Sequence, residues 1–128
     1  MKKLFLTIAL TIISNSAMAV WTDVGGTDSP IVYAELSTIR KVDNKVKMWS
    51  MYDYKTSQVF KEGMVLSVKM FNEFDCNEEQ IRVLTSTIHE GNMGLGKIIK
   101  YIEQQGAWMP VPPGSFAGTL LKVACGKK

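Results

Sequence analysis

Two cysteines constrain this chain more than any other pair of residues. Cys76 lies past the middle, and Cys125 stands three residues from the end, in "LLKVACGKK". Chain ends usually fray, so a thiol placed there needs a reason. It can be half of a staple, a metal or redox ligand, or a spare residue. The compartment decides among these.

The N-terminus speaks to the compartment. In "MKKLFLTIALTIISNSAMA", Lys2 and Lys3 form a positive n-region and Leu4 to Ile13 an apolar run broken only by Thr7 and Thr11. Ala17-Met18-Ala19 is an A-x-A cleavage site. These are the parts of a secretory signal peptide. The apolar run is half as long as the ~20 residues a membrane-spanning helix needs. The expectation is cleavage after residue 19, leaving residues 20–128 as a single domain, periplasmic, secreted or at the cell surface. No cysteine follows the site, so no lipid and no stable membrane anchor are expected after cleavage. Losing Lys2 and Lys3 lowers the net charge from +3 to about +1. No run resembles a nucleic-acid-binding stripe, so nucleic acid is not an expected partner.

In an exported chain an even number of cysteines reads as a disulfide. Zinc needs about four ligands, and the chain has one histidine, His89. A redox pair sits close together as C-x-x-C; these two are 49 apart. A Cys76–Cys125 staple is therefore expected, worth roughly 4 kcal/mol in the chain-entropy model.

The rest of the chain reads mostly as strands. "GGTDSP" (25–30) is a turn cluster, and "IVYAELSTI" after it is rich in β-branched residues. "VDNK" (42–45) supplies an Asp-Asn turn into "KVKMWSMYDY", which makes an antiparallel hairpin. That second run carries large apolar groups on both sides, so it is expected to be covered on both faces. "MVLSVKMFNEFDC" puts Leu66, Val68, Met70, Phe74 and Cys76 on one face, with Asn72 as the exception. "QIRVLTSTIHE" favours strand, "GNMGLG" a flexible loop, and "KIIKYIEQQ" a strand rather than a helix. "SFAGTLLKVACG" reads as a helix. Ser115 caps it, Phe116, Leu120, Val123 and Ala124 fall at helical spacing, Gly126 stops it, and Lys127 and Lys128 suit its negative end. Ten residues with Gly118 inside are marginal alone. Such a helix needs docking.

The order of these elements resembles the surface-adhesin protein E family of bacterial envelope proteins. The residues that carry the resemblance are "VYAELSTI", "VKMWSMYDY", "SVKMFNEFDC" and, towards the end, "WMPVPPGS" followed by "LLKVAC". The resemblance implies an α+β fold: an antiparallel sheet of about six strands with one C-terminal helix packed on its concave face and tethered by the Cys76–Cys125 disulfide. It also implies a homodimer and, for the name-giving member, adhesion to host matrix and serum proteins. That member is lipid-anchored and carries a basic segment before its cysteine strand. This chain has no lipobox cysteine, and it reads Glu62-Gly63-Met64 there.

Catalytic candidates are sparse. His89 lies beside Glu90 and a glycine loop with no nucleophile motif. Ser115 in "PGSFAG" is not the G-x-S-x-G elbow and suits a cap. Glu78 and Glu79 are adjacent, and strand neighbours point oppositely. "GNMGLG" lacks the lysine of a phosphate loop. No catalytic residue, cofactor or metal site is assigned. Trp49, Tyr52 and Tyr54 form a candidate aromatic binding face, with strand packing as the commoner use of such residues. The leading reading is a non-enzymatic exported envelope protein that binds other proteins. The alternatives are a soluble periplasmic inhibitor or immunity-type protein that blocks an enzyme, and a hydrolase with an unrecognised site.

Overall fold

In the computed structural model, residues 20–26 and 29–126 are described. The signal-peptide reading of residues 1–19, and the lysines Lys127 and Lys128, lie outside them. The elements are β1 (Thr22–Gly25), β2 (Ile31–Val42), β3 (Lys45–Phe60), β4 (Gly63–Asp75), β5 (Gln80–His89), a 3-10 turn (Asn92–Gly94), β6 (Ile98–Ile102), β7 (Met109–Pro110) and α1 (Phe116–Cys125). Strands β1 to β6 lie side by side in chain order, every pairing antiparallel, and the short β7 pairs with the far end of β5. The connections from β1 to β6 are short, so each of these strands finds its neighbour next in the chain.

The Asp-Asn turn forms as expected. Val42 pairs with Lys45, and Asp43 takes the positive φ of 55° that Asp and Asn accept more readily than most residues. The Asn44 side chain donates to Asp75 Oδ1 at 2.9 Å, and the backbone N–H groups of Asn77 and Glu78 donate to the same oxygen at 3.1 and 3.0 Å. These bonds, the Glu78 N–H first, hold the Asp75 carboxyl below the ordinary carboxylate range. One carboxylate thus ties the start of β3 to the end of β4.

The alternation in each strand sends one set of side chains under the helix. Val32 and Ala34 of β2, Val46 and Met48 of β3, and Phe74 of β4 meet Leu120, Leu121 and Ala124 of α1 in one buried cluster. Burying a side chain such as Leu120, which is 0% exposed, is worth about 1.5–3 kcal/mol. Asn72, the exception on the apolar face, is also buried, and its Nδ2 donates to Ser50 Oγ at 2.9 Å. The polar intruder brings its own partner.

The helix is built as its sequence suggests. Ser115 Oγ accepts from the Gly118 N–H at 3.0 Å, and Gly126 closes the other end in the left-handed conformation. Gly118 does more than weaken the helix. It is buried, and a Cβ there would stand 3.1 Å from the Pro112 carbonyl oxygen, so its bareness lets the helix settle against the "PVPPGS" passage. Phe116 faces outward more than the helical spacing suggests, at 43% exposure, with its ring tilted over Tyr52. The Cys76–Cys125 disulfide forms, with Cα atoms 5.8 Å apart, and it joins the last residue of the helix to the end of β4.

Two features depart from the expectation. Residues 22–25 form an extra edge strand beside β2. Strand β5 carries an irregularity opposite Phe71/Asn72. Ile81 and Val83 pair with the helix-side residues Phe74 and Asn72, whereas Thr85 and Thr87 pair with Phe71 and Lys69 on the far side. One extra residue, Leu84, switches the faces of the strand.

Candidate functional site

The face of the sheet away from α1 is the part of the molecule not claimed by the helix. Its residues fall in rows across the strands, set by register. The first row is Arg40, Lys47, Glu73 and Arg82. The second is Glu35, Trp49, Phe71 and Thr85. The third is Tyr33, Met51, Lys69, Thr87 and Tyr101. The fourth is Ile31, Asp53, Ser67 and His89.

The "GNMGLG" loop is fastened across the fourth row. Asp53 Oδ1 accepts from the Met93 N–H at 2.8 Å and from Asn92 Nδ2 at 3.0 Å. Ser67 Oγ donates to the Gly91 carbonyl at 2.6 Å and accepts from the Gly94 N–H at 2.9 Å. Gly94 has a φ of +68°, and a Cβ on it would meet the Lys69 side chain at 2.8 Å, so only glycine lets the strap lie this close. The loop expected to be flexible is a bonded strap.

His89 ends that row. It is 3% exposed, and its Nε2 shares a 2.8 Å hydrogen bond with Thr87 Oγ1. Its Nδ1 has no hydrogen-bond partner among the protein atoms. Burial, and then the Lys69 charge, hold the imidazole below its ordinary pKa. Asp53, Ser67 and His89 share one row, but the hydrogen bonds of Asp53 and Ser67 described above go to the strap, and that of His89 goes to Thr87. The arrangement fastens a loop. Ser115 is the helix cap, and Glu78 and Glu79 are exposed in the turn after Cys76. Among the described residues, no three His, Cys, Asp or Glu side chains gather as metal ligands.

The first two rows are open. Trp49 and Phe71 stack with ring centroids 5.1 Å apart and planes 24° from parallel, both half-buried. Beside them, Arg82 donates from Nε to Glu73 Oε1 at 2.6 Å and also pairs with that oxygen through Nη2. The same guanidinium lies 4.4 Å from the centre of the Trp108 ring, a cation–π contact. Trp108, which follows β6, is thereby drawn onto this face. A cavity of about 510 Å³ opens where the row of charges meets the β2–β3 turn, with Arg40, Lys45 and Lys47 on its wall.

The aromatic trio expected to share one binding face is divided. Trp49 lies on the open face, whereas Tyr52 packs against the helix-side core and Phe116. The cause is spacing: residues three apart on a regular strand point to opposite sides. Tyr54 follows Tyr52 by two. Burial raises the Tyr52 hydroxyl pKa above its ordinary value, with Tyr54 adding to it. The sequence alone does not mark Phe71, Arg40, Lys47, Arg82 and Trp108 as a site. Lys47 stands two residues from Trp49 and was legible as its neighbour, but the others join it only through register.

The family model for surface-adhesin protein E matches residues 21–126. The chain belongs to that family. Adhesin E membership agrees with the solved structures that the fold matches. Crystal form II of Haemophilus influenzae protein E superposes with a TM-score of 0.61 at 12% identity, over 86% of this chain and 97% of that one. Protein E from non-typeable Haemophilus influenzae gives 0.62 at 11% identity, over 88% and 79%. Identities this low speak to the fold. No curated protein matches the chain by sequence. In this adhesin E domain, no helix among the described residues is long and apolar enough to cross a membrane.

Proposed function

We propose that this chain is a non-enzymatic, exported binding domain that captures other proteins, host matrix or serum proteins among them, on the face of its sheet opposite the helix. What carries the reading is the open half of that face: a stacked, half-buried Trp49–Phe71 pair with charged neighbours, in a member of a surface-adhesin family. Aromatic residues and Arg are the residue types that anchor protein interfaces. The helix-side Tyr52 is already engaged by the fold, and Trp49 is the better anchor of the three aromatic candidates.

The test is direct binding of the purified exported chain to a panel of immobilised matrix and serum proteins. At least one should bind, and Trp49→Ala should weaken it by ten-fold or more while Tyr54→Ala leaves it within two-fold. Failure of the whole panel, or indifference to Trp49→Ala, overturns the reading. Surface location is tested separately with a membrane-impermeant label on intact cells; absence of label removes the chain from the surface.

A further inference from the structure

We propose that the row of cations at the end of the open face is a binding site for a linear sulfated polysaccharide. Arg40 and Lys47 are direct cross-strand partners and both are exposed. Neither is in an ion pair; those among the described residues are Arg82–Glu73 and Lys100–Glu62. Like charges set directly opposite one another destabilise a strand pair, so this pair stands at a cost that a bound anion removes. The acid next in the row, Glu73, is engaged by Arg82. Arg40 is also held in position: its Nη1 donates to the carbonyls of Ser37 at 3.0 Å and Ile39 at 2.9 Å, which leaves its remaining N–H groups for a ligand.

The shape of the site favours a chain over a single anion. The row holds three cations against one carboxylate and crosses four strands, a span of about 14 Å at ~4.8 Å per strand. A linear polyanion lying across the strands meets positive charge repeatedly along that span; one carboxylate satisfies one pair. The cavity beside the row, about 510 Å³, adds Lys45 and the Asn44 side chain, with Asp43 as the opposing acid. Nucleic acid is the less suitable polyanion. Single strands are held by bases stacking on aromatic faces, and here one face of Trp49 is taken by Phe71 and one of Trp108 by Arg82. What remains is N–H donors and charge, which suit sulfate oxygens.

The proposal stands apart from protein capture, and its probe is heparin alone. Titration of the full exported chain should show heparin binding that weakens as salt rises. Arg40→Gln with Lys47→Gln should weaken it at least ten-fold, and Lys122→Gln, on the helix side, should leave it within two-fold. Fully desulfated heparin and single-stranded oligothymidylate should not bind at the same concentrations. An NMR titration with a heparin oligosaccharide should move the amide signals of Arg40, Lys47 and Lys45 first, a readout that needs no variant. Absence of heparin binding, equal loss in Lys122→Gln, signal changes centred elsewhere, or equal affinity for oligothymidylate overturns the proposal.

Discussion

One sheet presents two faces with opposite logic. The helix-side face is an apolar stripe closed by Leu120, Leu121 and Ala124, with one buried polar pair in which Asn72 Nδ2 donates to Ser50 Oγ. The far face keeps its aromatic pair half-buried and leaves two like charges side by side. The first arrangement lowers the energy of the fold. The second adds little to it. Stability and exposure are kept apart in one small domain: both faces carry large apolar groups, but only one is covered by the last described element, α1.

Detaching the cover should have the largest effect. Replacing both Cys76 and Cys125 with Ala should cost about 4 kcal/mol in chemical denaturation, the cross-link value for a loop of this size. A loss below 1 kcal/mol would mean the helix docks without its clasp. Next, Leu120→Ala should cost about 3 kcal/mol as a core truncation. Trp49→Ala should cost only about 1 kcal/mol. Equal losses would erase the distinction between the faces.

Acid offers a third test, under the strap on the far face. His89 has its folded pKa below its unfolded one. The unfolded chain therefore binds a proton that the folded chain refuses. Stability is full above the unfolded value, about 6.5, and falls as pH drops from there towards the folded pKa. Denaturation midpoints between pH 7.5 and 5 should show this fall, and His89→Gln should flatten it. The smallest expected effect is at the charged row. Lys47→Gln should shift stability by less than about 0.5 kcal/mol, because it removes the repulsion from Arg40 and the attraction of Glu73 together. A clear destabilisation there would mean the row is structural after all.

Much of the covered side was legible in the chain. Alternation in "MVLSVKMFNEFDC" puts Cys76 on the apolar face, and the spacing from Ser115 to Gly126 marks both helix ends. The open face was harder. Its rows depend on register, and a single strand carries no record of its partner's offset. The irregularities between Glu35 and Arg40, between Asp53 and Gln58, and opposite Phe71/Asn72 shift that offset without a turn residue to announce them. The four-residue β1 escaped for another reason. It abuts the "GGTDSP" turn cluster, and its own residues, Thr22 to Gly25, are too few to show a period.

The chain-order sheet has a consequence for how the molecule assembles. Neighbours in sequence are neighbours in space, so the hairpins form through short loops, the kind of contact that folds quickly. The helix is the last described element in the chain, and until it arrives Val32, Val46, Met48 and Phe74 face water. An incomplete chain that stops before Ser115 therefore has every long strand it needs and no lid for its apolar stripe. With its apolar stripe bare, such a fragment is liable to pair stripe to stripe with its copies. Residues 115–126, the helix with its caps, decide whether that stripe is covered.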